Sequence, residues 1–116
     1  MFSYEKLEVY KKAYRANQCV YRLFKENRII PNYLKNQFGR ASLSIMLNIA
    51  EGSGKFSDKD RRNFYVTARG STFECASIVS FLYDEGEILI GLKEELGSLY
   101  EEISRMLFTM IKNLSR

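Results

Sequence analysis

Six apolar residues late in the chain, Leu92, Leu96, Leu99, Ile103, Met106 and Met110, follow one another at steps of four, three, four, three and four. A turn of α-helix takes 3.6 residues, so this alternation draws all six onto one face of a single long helix. Leu107, Ile111 and Leu114 widen the stripe, while Glu94, Glu95, Glu101 and Glu102 occupy the opposite side. The acidic first half and the later Arg105, Lys112 and Arg116 suit the helix dipole.

The same alternation appears upstream in Phe64, Ala68, Ser71, Cys75, Ile78 and Leu82. Ser57 followed by Asp60 resembles a capping box, which starts this helix near Asp58, and Gly86 stops it just after Asp84. Gly70 falls mid-helix, where Gly costs about 1 kcal/mol relative to Ala. Close approach of a neighbouring backbone is the expected reason for it, with Ala68, Ser71 and Ala76 nearby. Pro31 reads as the first residue of another helix. Leu34, Phe38, Ala41, Ile45 and Ile49 form its apolar stripe, and Gly52 and Gly54 close it. Leu7, Tyr10, Tyr14, Tyr21 and Phe24 mark a first helix that ends at the polar Asn27-Arg28. Short connections between four such helices predict an all-α, antiparallel, up-down-up-down four-helix bundle. A chain of 116 residues buries one core, so a single domain over residues 1–116 is expected.

The chain lacks much of the equipment of catalysis. It contains no His, which removes the commonest general base, the commonest metal ligand and the Glu-x-x-His motif of di-iron bundles. Without strands there is no strand-borne Gly-rich phosphate loop. Glu51 and Glu74 are carboxylates that could meet inside a bundle, although such residues are more often satisfied by Arg or backbone donors. The chain is therefore expected not to be an enzyme and to need no cofactor or metal. Cys19 and Cys75 have neither metal-ligand spacing nor the pattern of a secreted scaffold, and read as reduced thiols at core positions of a cytoplasmic protein. The opening MFSYEKLEVYKKAYR interleaves charge with apolar residues, unlike a signal or transit peptide. Apolar runs such as 78–83 are far shorter than the ~18 residues of a membrane span, so no membrane is expected among its partners.

Charge is distributed unevenly. Residues 1–73 carry 14 Lys/Arg against 6 Asp/Glu, and residues 74–116 carry 4 against 8. Such a dipolar subunit can present a basic surface to nucleic acid, pack head to tail on copies of itself, or simply have unevenly charged solvated faces. One basic cluster is Lys11, Arg15, Arg22 and Lys25 on the first helix. The other is Lys55, Lys59, Arg61, Arg62 and Arg69 around the second loop. Tyr14, Tyr21, Phe56, Phe64 and Tyr65 are interleaved with them, either as platforms for unpaired bases or as core residues behind a solvated face. Beside the apolar stripe of the second helix, Gln37, Arg40, Ser44, Asn48 and Glu51 form a polar one, spaced to meet Ser71 and Glu74 of the third. A hydrogen-bonded seam that fixes register accounts for it more simply than a ligand site.

The segment Asn36-Gln-Phe-Gly-Arg-Ala-Ser-Leu-Ser-Ile-Met-Leu-Asn-Ile-Ala-Glu-Gly52 closely resembles Q-x-x-R-A-x-x-S-I-x-x-N-I-A-E-G, the signature of the four helix bundle protein family, also called the 23S rRNA intervening-sequence protein family. Phe64-Tyr-Val-Thr-Ala-Arg-Gly-Ser-Thr-Phe-Glu74 looks like the F-x-x-x-A-x-G-S-x-x-E segment of the same family, and Tyr4-Glu-Lys-Leu-Glu-Val-Tyr10 with Ala13 is similar to its opening. The resemblance spans nearly the whole chain. Family members often carry two adjacent basic residues before the Ala; here Gly39 precedes Arg40. The resemblance implies a bundle that assembles into a ring, a homopentamer. It also implies kinship with proteins encoded inside bacterial 23S rRNA genes, and with the accessory variability proteins of diversity-generating retroelements. The latter bind nucleic acid and a reverse transcriptase through a basic surface. Carried over by motif position, Gln37, Arg40, Asn48, Glu51, Gly52, Ser71 and Glu74 are the signature residues, assigned to structure and assembly.

Two functions follow as expectations. In the first, a cytoplasmic self-assembling bundle contacts structured RNA through Lys11, Arg15, Arg22, Lys55, Lys59, Arg61 and Arg62, each a phosphate contact. In the second, the same charges meet an acidic protein partner, or the accessory role is to a reverse transcriptase without direct nucleic-acid binding.

Overall fold

Helices in this chain begin and end where a nearby residue can satisfy or release the backbone. The computed structural model describes residues 1–115, with a 3-10 turn at Ser3–Lys6 followed by α1 (Glu8–Glu26), α2 (Asn32–Ser53), α3 (Asp58–Asp84) and α4 (Ile90–Asn113). Ser57 caps α3 by accepting a hydrogen bond from the Asp60 amide at 3.1 Å. Gly86, at φ 77°, takes the left-handed conformation past the end of α3 and lets the Glu87 amide reach back to the Leu82 carbonyl at 2.8 Å. Pro31 stands one position earlier than predicted, as the residue preceding α2, and its carbonyl accepts from the amides of Leu34 and Lys35. Arg116, grouped above with Arg105 and Lys112, lies outside the described residues.

α1 packs on α2 and α4, and α3 packs on the same two, while no Cα of α1 comes within 8 Å of α3 or of α2 within 8 Å of α4. The result is a four-cornered bundle of four helices, 44 × 25 × 22 Å, with no strand among the described residues. Side-chain contacts tie each pair of neighbours together. Asn17 meets Ser42 and Phe24 meets Phe38 between α1 and α2; Gln37 meets Glu74 and Ser44 meets Ser71 between α2 and α3. Arg62 meets Ser115 at the end of α4, Arg69 meets Ser104, and Lys12 and Arg15 of α1 meet Glu102 and Glu95 of α4.

The core confirms the stripes of α2 and α4 and corrects those of α1 and α3. Phe38, Ala41, Ile45 and Ile49 are buried as read from the spacing, and Leu96, Leu99 and Ile103 are joined at the centre by Tyr100 and Leu107. In α1 the buried seam is Val9, Ala13, Ala16, Val20 and Leu23, whereas Tyr14 and Tyr21 are 50% and 64% exposed. Bulky Phe38, Tyr65 and Tyr100 already fill the middle from other helices, and interiors packed at crystal density leave Ala-sized room for α1 at Ala13 and Ala16. In α3 the seam runs through Tyr65, Ala68, Thr72, Cys75, Val79 and Leu82, with Phe64, Ser71 and Ile78 at its margin. Thr72 is tolerated there because its hydroxyl donates to the Ala68 carbonyl at 2.8 Å.

Close approach occurs at Gly52, not at Gly70. A Cβ on Gly52 would lie 2.8 Å from Tyr65 Cε1 and 2.9 Å from Phe64 Cβ, so α2 ends tight against the start of α3. Gly70 is exposed and has nothing within 4 Å of a Cβ built on it.

Both cysteines are free, Cys75 buried and Cys19 partly so. The Tyr100 hydroxyl is buried without a hydrogen-bond partner, and burial pushes its pKa up. Burial likewise pushes the Cys75 thiol up to about 12 from 9.0.

Gly52→Ala should destabilise the fold by about 1–3 kcal/mol in urea titration through overpacking. Gly70→Ala should stabilise it by about 1 kcal/mol through helix propensity. For Cys75, folded and unfolded chains are both protonated below pH 9, so its contribution is constant there. Between pH 9 and about 12 only the unfolded thiol ionises, and stability falls as pH rises. Unfolding titrations of wild type and Cys75→Ala across that window should show a shallower alkaline decline for the variant.

Candidate functional site

The polar stripe of α2 does meet α3. Ser71 Oγ donates to Ser44 Oγ at 2.8 Å, and Asn48 Nδ2 donates to the Ser44 carbonyl at 2.8 Å and its hydroxyl at 3.0 Å. Gln37 Nε2 donates to the Glu74 carboxylate. Three of the signature residues, Gln37, Ser71 and Glu74, thus hold α2 to α3, Asn48 steadies Ser44 from within α2, and Gly52 provides the tight contact at the end of the same interface. Arg40 and Glu51 are exposed and have no ion pair among the described residues. Glu51 and Glu74 do not meet. Glu74 sits beside Gln37, and Glu51 lies 14 residues further along α2, about 21 Å at 1.5 Å per residue. Among the described residues no three His, Cys, Asp or Glu gather as a metal site.

The seven basic candidates divide between two places. On α1, Lys11 pairs with Glu8 at 3.3 Å and Arg15 with Glu95 of α4 at 3.4 Å, while Arg22 is exposed with no ion pair among the described residues. Lys12 adds a pair to Glu102. Part of the positive first half is thus balanced within the chain by the negative second half. These pairs lie at the surface, where water and salt screen them. At the bundle end formed by the loop 54–57, Lys59 is exposed and Lys55 Nζ lies 5.0 Å from the Phe64 ring centre. Arg61 instead turns inward, where Nη2 donates to the Lys55 carbonyl at 2.7 Å and Nε is buried without a partner. Arg62 Nε donates to Ser115 Oγ at 2.7 Å. None of these four makes an ion pair among the described residues.

The aromatic candidates separate as well. Tyr14, Tyr21 and Phe56 are exposed, Phe64 lies under Lys55, and Tyr65 is core and unavailable to any ligand. Spacing did not single out Phe73 and Phe108, which are 56% and 54% exposed on α3 and α4. The Arg69 guanidinium lies 4.8 Å from one ring centre and 5.3 Å from the other. Arg69 and Phe73 stand four residues apart, a helical neighbour spacing that was visible in the chain.

Ser44 is the hub of the α2–α3 network, so Ser44→Ala should cost about 1 kcal/mol in chemical denaturation. Adding Ser71→Ala to that variant should cost much less than Ser71→Ala alone, a non-additivity that reports their contact.

Among the described residues no helix is long and apolar enough to cross a membrane. No curated protein matches the chain. The profile of the 23S rRNA-intervening sequence proteins matches residues 5–109, covering every signature residue of the α2–α3 interface. The chain therefore belongs to the 23S rRNA-intervening sequence protein family.

Proposed function

We propose that this chain acts by binding and not by catalysis: a cytoplasmic up-down-up-down bundle that assembles with copies of itself into a ring, a pentamer, and contacts structured RNA through its basic surface. Antiparallel order is supported by the contact pairs, since Ser44 follows Gln37 along α2 while its partner Ser71 precedes Glu74 along α3. Contacts of α1 with α4 and of α3 with α4 reverse in the same way.

The observation that carries the RNA reading is the bundle end at residues 55–62, where Lys55, Lys59, Arg61 and Arg62 make no ion pair among the described residues. Lys and Arg outnumber Asp58 and Asp60 two to one in this segment, and backbone phosphates are the ligand that such a cluster suits, at a surface that carries no base-reading motif. Lys55, Lys59 and Arg62 supply direct contacts in this reading, and Arg61 holds the loop that carries them. Lys11, Arg15 and Arg22 extend the surface along α1, with Lys11 and Arg15 exchanging carboxylate partners for phosphate.

The second reading is an interaction scaffold or accessory subunit. It is favoured by the large apolar side chains that remain exposed on the bundle flanks, among them Tyr21, Phe73 and Phe108.

Purified protein titrated with a 23S rRNA fragment should bind with an affinity that falls steeply with salt. Lys59→Glu combined with Arg62→Glu should lower affinity at least tenfold and flatten the salt slope by about two, with the circular dichroism spectrum unchanged. Undiminished RNA affinity in that variant would remove this end of the bundle from the function. Retention of a protein partner without RNA would favour the scaffold.

A further inference from the structure

At the end of the bundle that carries Lys55, a depression of about 360 Å³ opens between the N-terminal turn and the last turn of α2, lined by Phe2, Tyr4, Glu51, Gly54 and Lys55. Both of its sides are held in place. On one, the Phe2 amide donates to the Glu5 carboxylate at 2.7 Å, and the Tyr4 ring meets Tyr10 of α1 edge-on at 4.7 Å. On the other, the amides of Gly54 and Lys55 bond back to the carbonyls of Glu51 and Gly52 at 3.1 Å, and Arg61 holds the Lys55 carbonyl. Aromatic rings are nonetheless left open at this end. Phe2 lies nearly flat on Tyr4, with ring centres 5.7 Å apart and planes at 19°, and stays 71% exposed. Phe56, the residue after Lys55 in the braced loop, is fully exposed.

We propose that this depression takes an unpaired guanine of an RNA loop or bulge, its face stacked on the Phe2 ring, its Watson–Crick edge on the Glu51 carboxylate and the next base on Phe56. This rests on the RNA binding proposed above and names the part of the RNA that this end of the bundle receives. Each feature of a nucleotide finds a counterpart here. Lys55, Lys59 and Arg62 suit the phosphates and outweigh Asp58 and Asp60 beside them. Open rings suit the faces of bases, which are free only where a strand is unpaired. Glu51 suits one base edge in particular. It is exposed and makes no ion pair among the described residues. A carboxylate only accepts hydrogen bonds, and it has two oxygens with which to do so. Guanine alone among the four bases sets two N–H donors side by side on its Watson–Crick edge, whereas the others place an acceptor next to their donor. Lys55, on the same depression, offsets the repulsion between Glu51 and the RNA backbone. The contact comes from no sequence motif, because the N-terminal turn, the end of α2 and the following loop each supply part of it.

The test uses the full chain and RNA hairpins that share one stem. Their uridine loops hold a single guanosine, a single inosine, a single adenosine or no purine, and GMP alone serves as a further probe. In fluorescence anisotropy the guanosine loop should bind about tenfold tighter than the adenosine or all-uridine loop, with inosine, which lacks the amino group, in between. Glu51→Ala should bind all four loops equally. Phe2→Ala and Phe56→Ala should each weaken the guanosine loop about tenfold, with circular dichroism unchanged. The comparison of loops on the wild type needs no variant to fold. Equal affinity of the wild type for all four loops would overturn the guanine site while the phosphate contacts stood, as would a guanosine preference that survives in Glu51→Ala. GMP bound as tightly as the guanosine hairpin would overturn RNA as the source of the base. A wild type that binds none of the hairpins would overturn the site and the RNA reading together.

Discussion

The absence of a side chain at Gly52 governs how the rest of the bundle is arranged. Tyr65 and Phe64 occupy the space a β-carbon would need, so α3 leaves the loop pressed against the last turn of α2. From that contact outward the two helices stay in register, through Ser44 with Ser71 and on to Gln37 with Glu74. Shifting α3 along α2 by one residue would break each of these hydrogen bonds and turn Tyr65 away from the core. The polar seam gives this pair of helices one register, while apolar packing alone tolerates several.

The stripes of α2 and α4 were legible because their apolar residues are flanked by residues that cannot be buried, such as Arg40 and Glu51 in one and Glu95 and Glu102 in the other. α1 has a charged face as well, in Lys11, Arg15, Arg22 and Lys25, but two apolar lines lie beside it. Its aromatic line through Tyr10, Tyr14, Tyr21 and Phe24 runs next to the line through Val9, Ala13, Ala16 and Val20, and both obey the helical period. Volume decided between them, and volume depends on what the other three helices bring. α3 posed the same difficulty between Ser71 and Thr72, where a hydroxyl bonded to its own helix entered the core.

For the candidate site, spacing was enough to show that the polar faces of α2 and α3 could meet, because residues three and four apart share a face. It was not enough to tell which residues sit at the same height. Glu51 and Glu74 looked like a pair until the register separated them. The basic residues were all visible in the chain, but not the division of labour among them. Arg61 closes a loop, Arg15 reaches an acidic helix, and Lys59 stands free of both kinds of contact. The grouping of Phe73, Phe108 and Arg69 was invisible for a related reason: it is made of residues from two helices.

The small seam of α1 also bears on the order in which the bundle comes together. Ala13 and Ala16 bring far less apolar surface to the centre than Phe38, Ile45 and Ile49 of α2 or Tyr100 and Leu107 of α4. Burial energy scales with area, so α1 is the helix least firmly held by the core, and two of its aromatic side chains, Tyr14 and Tyr21, lie on its outer flank. By that measure α1 is the element expected to open first. A neighbour seated over Tyr14 and Tyr21 would add to α1 the burial that its own chain withholds, so the helix nearest to fraying would be secured from outside.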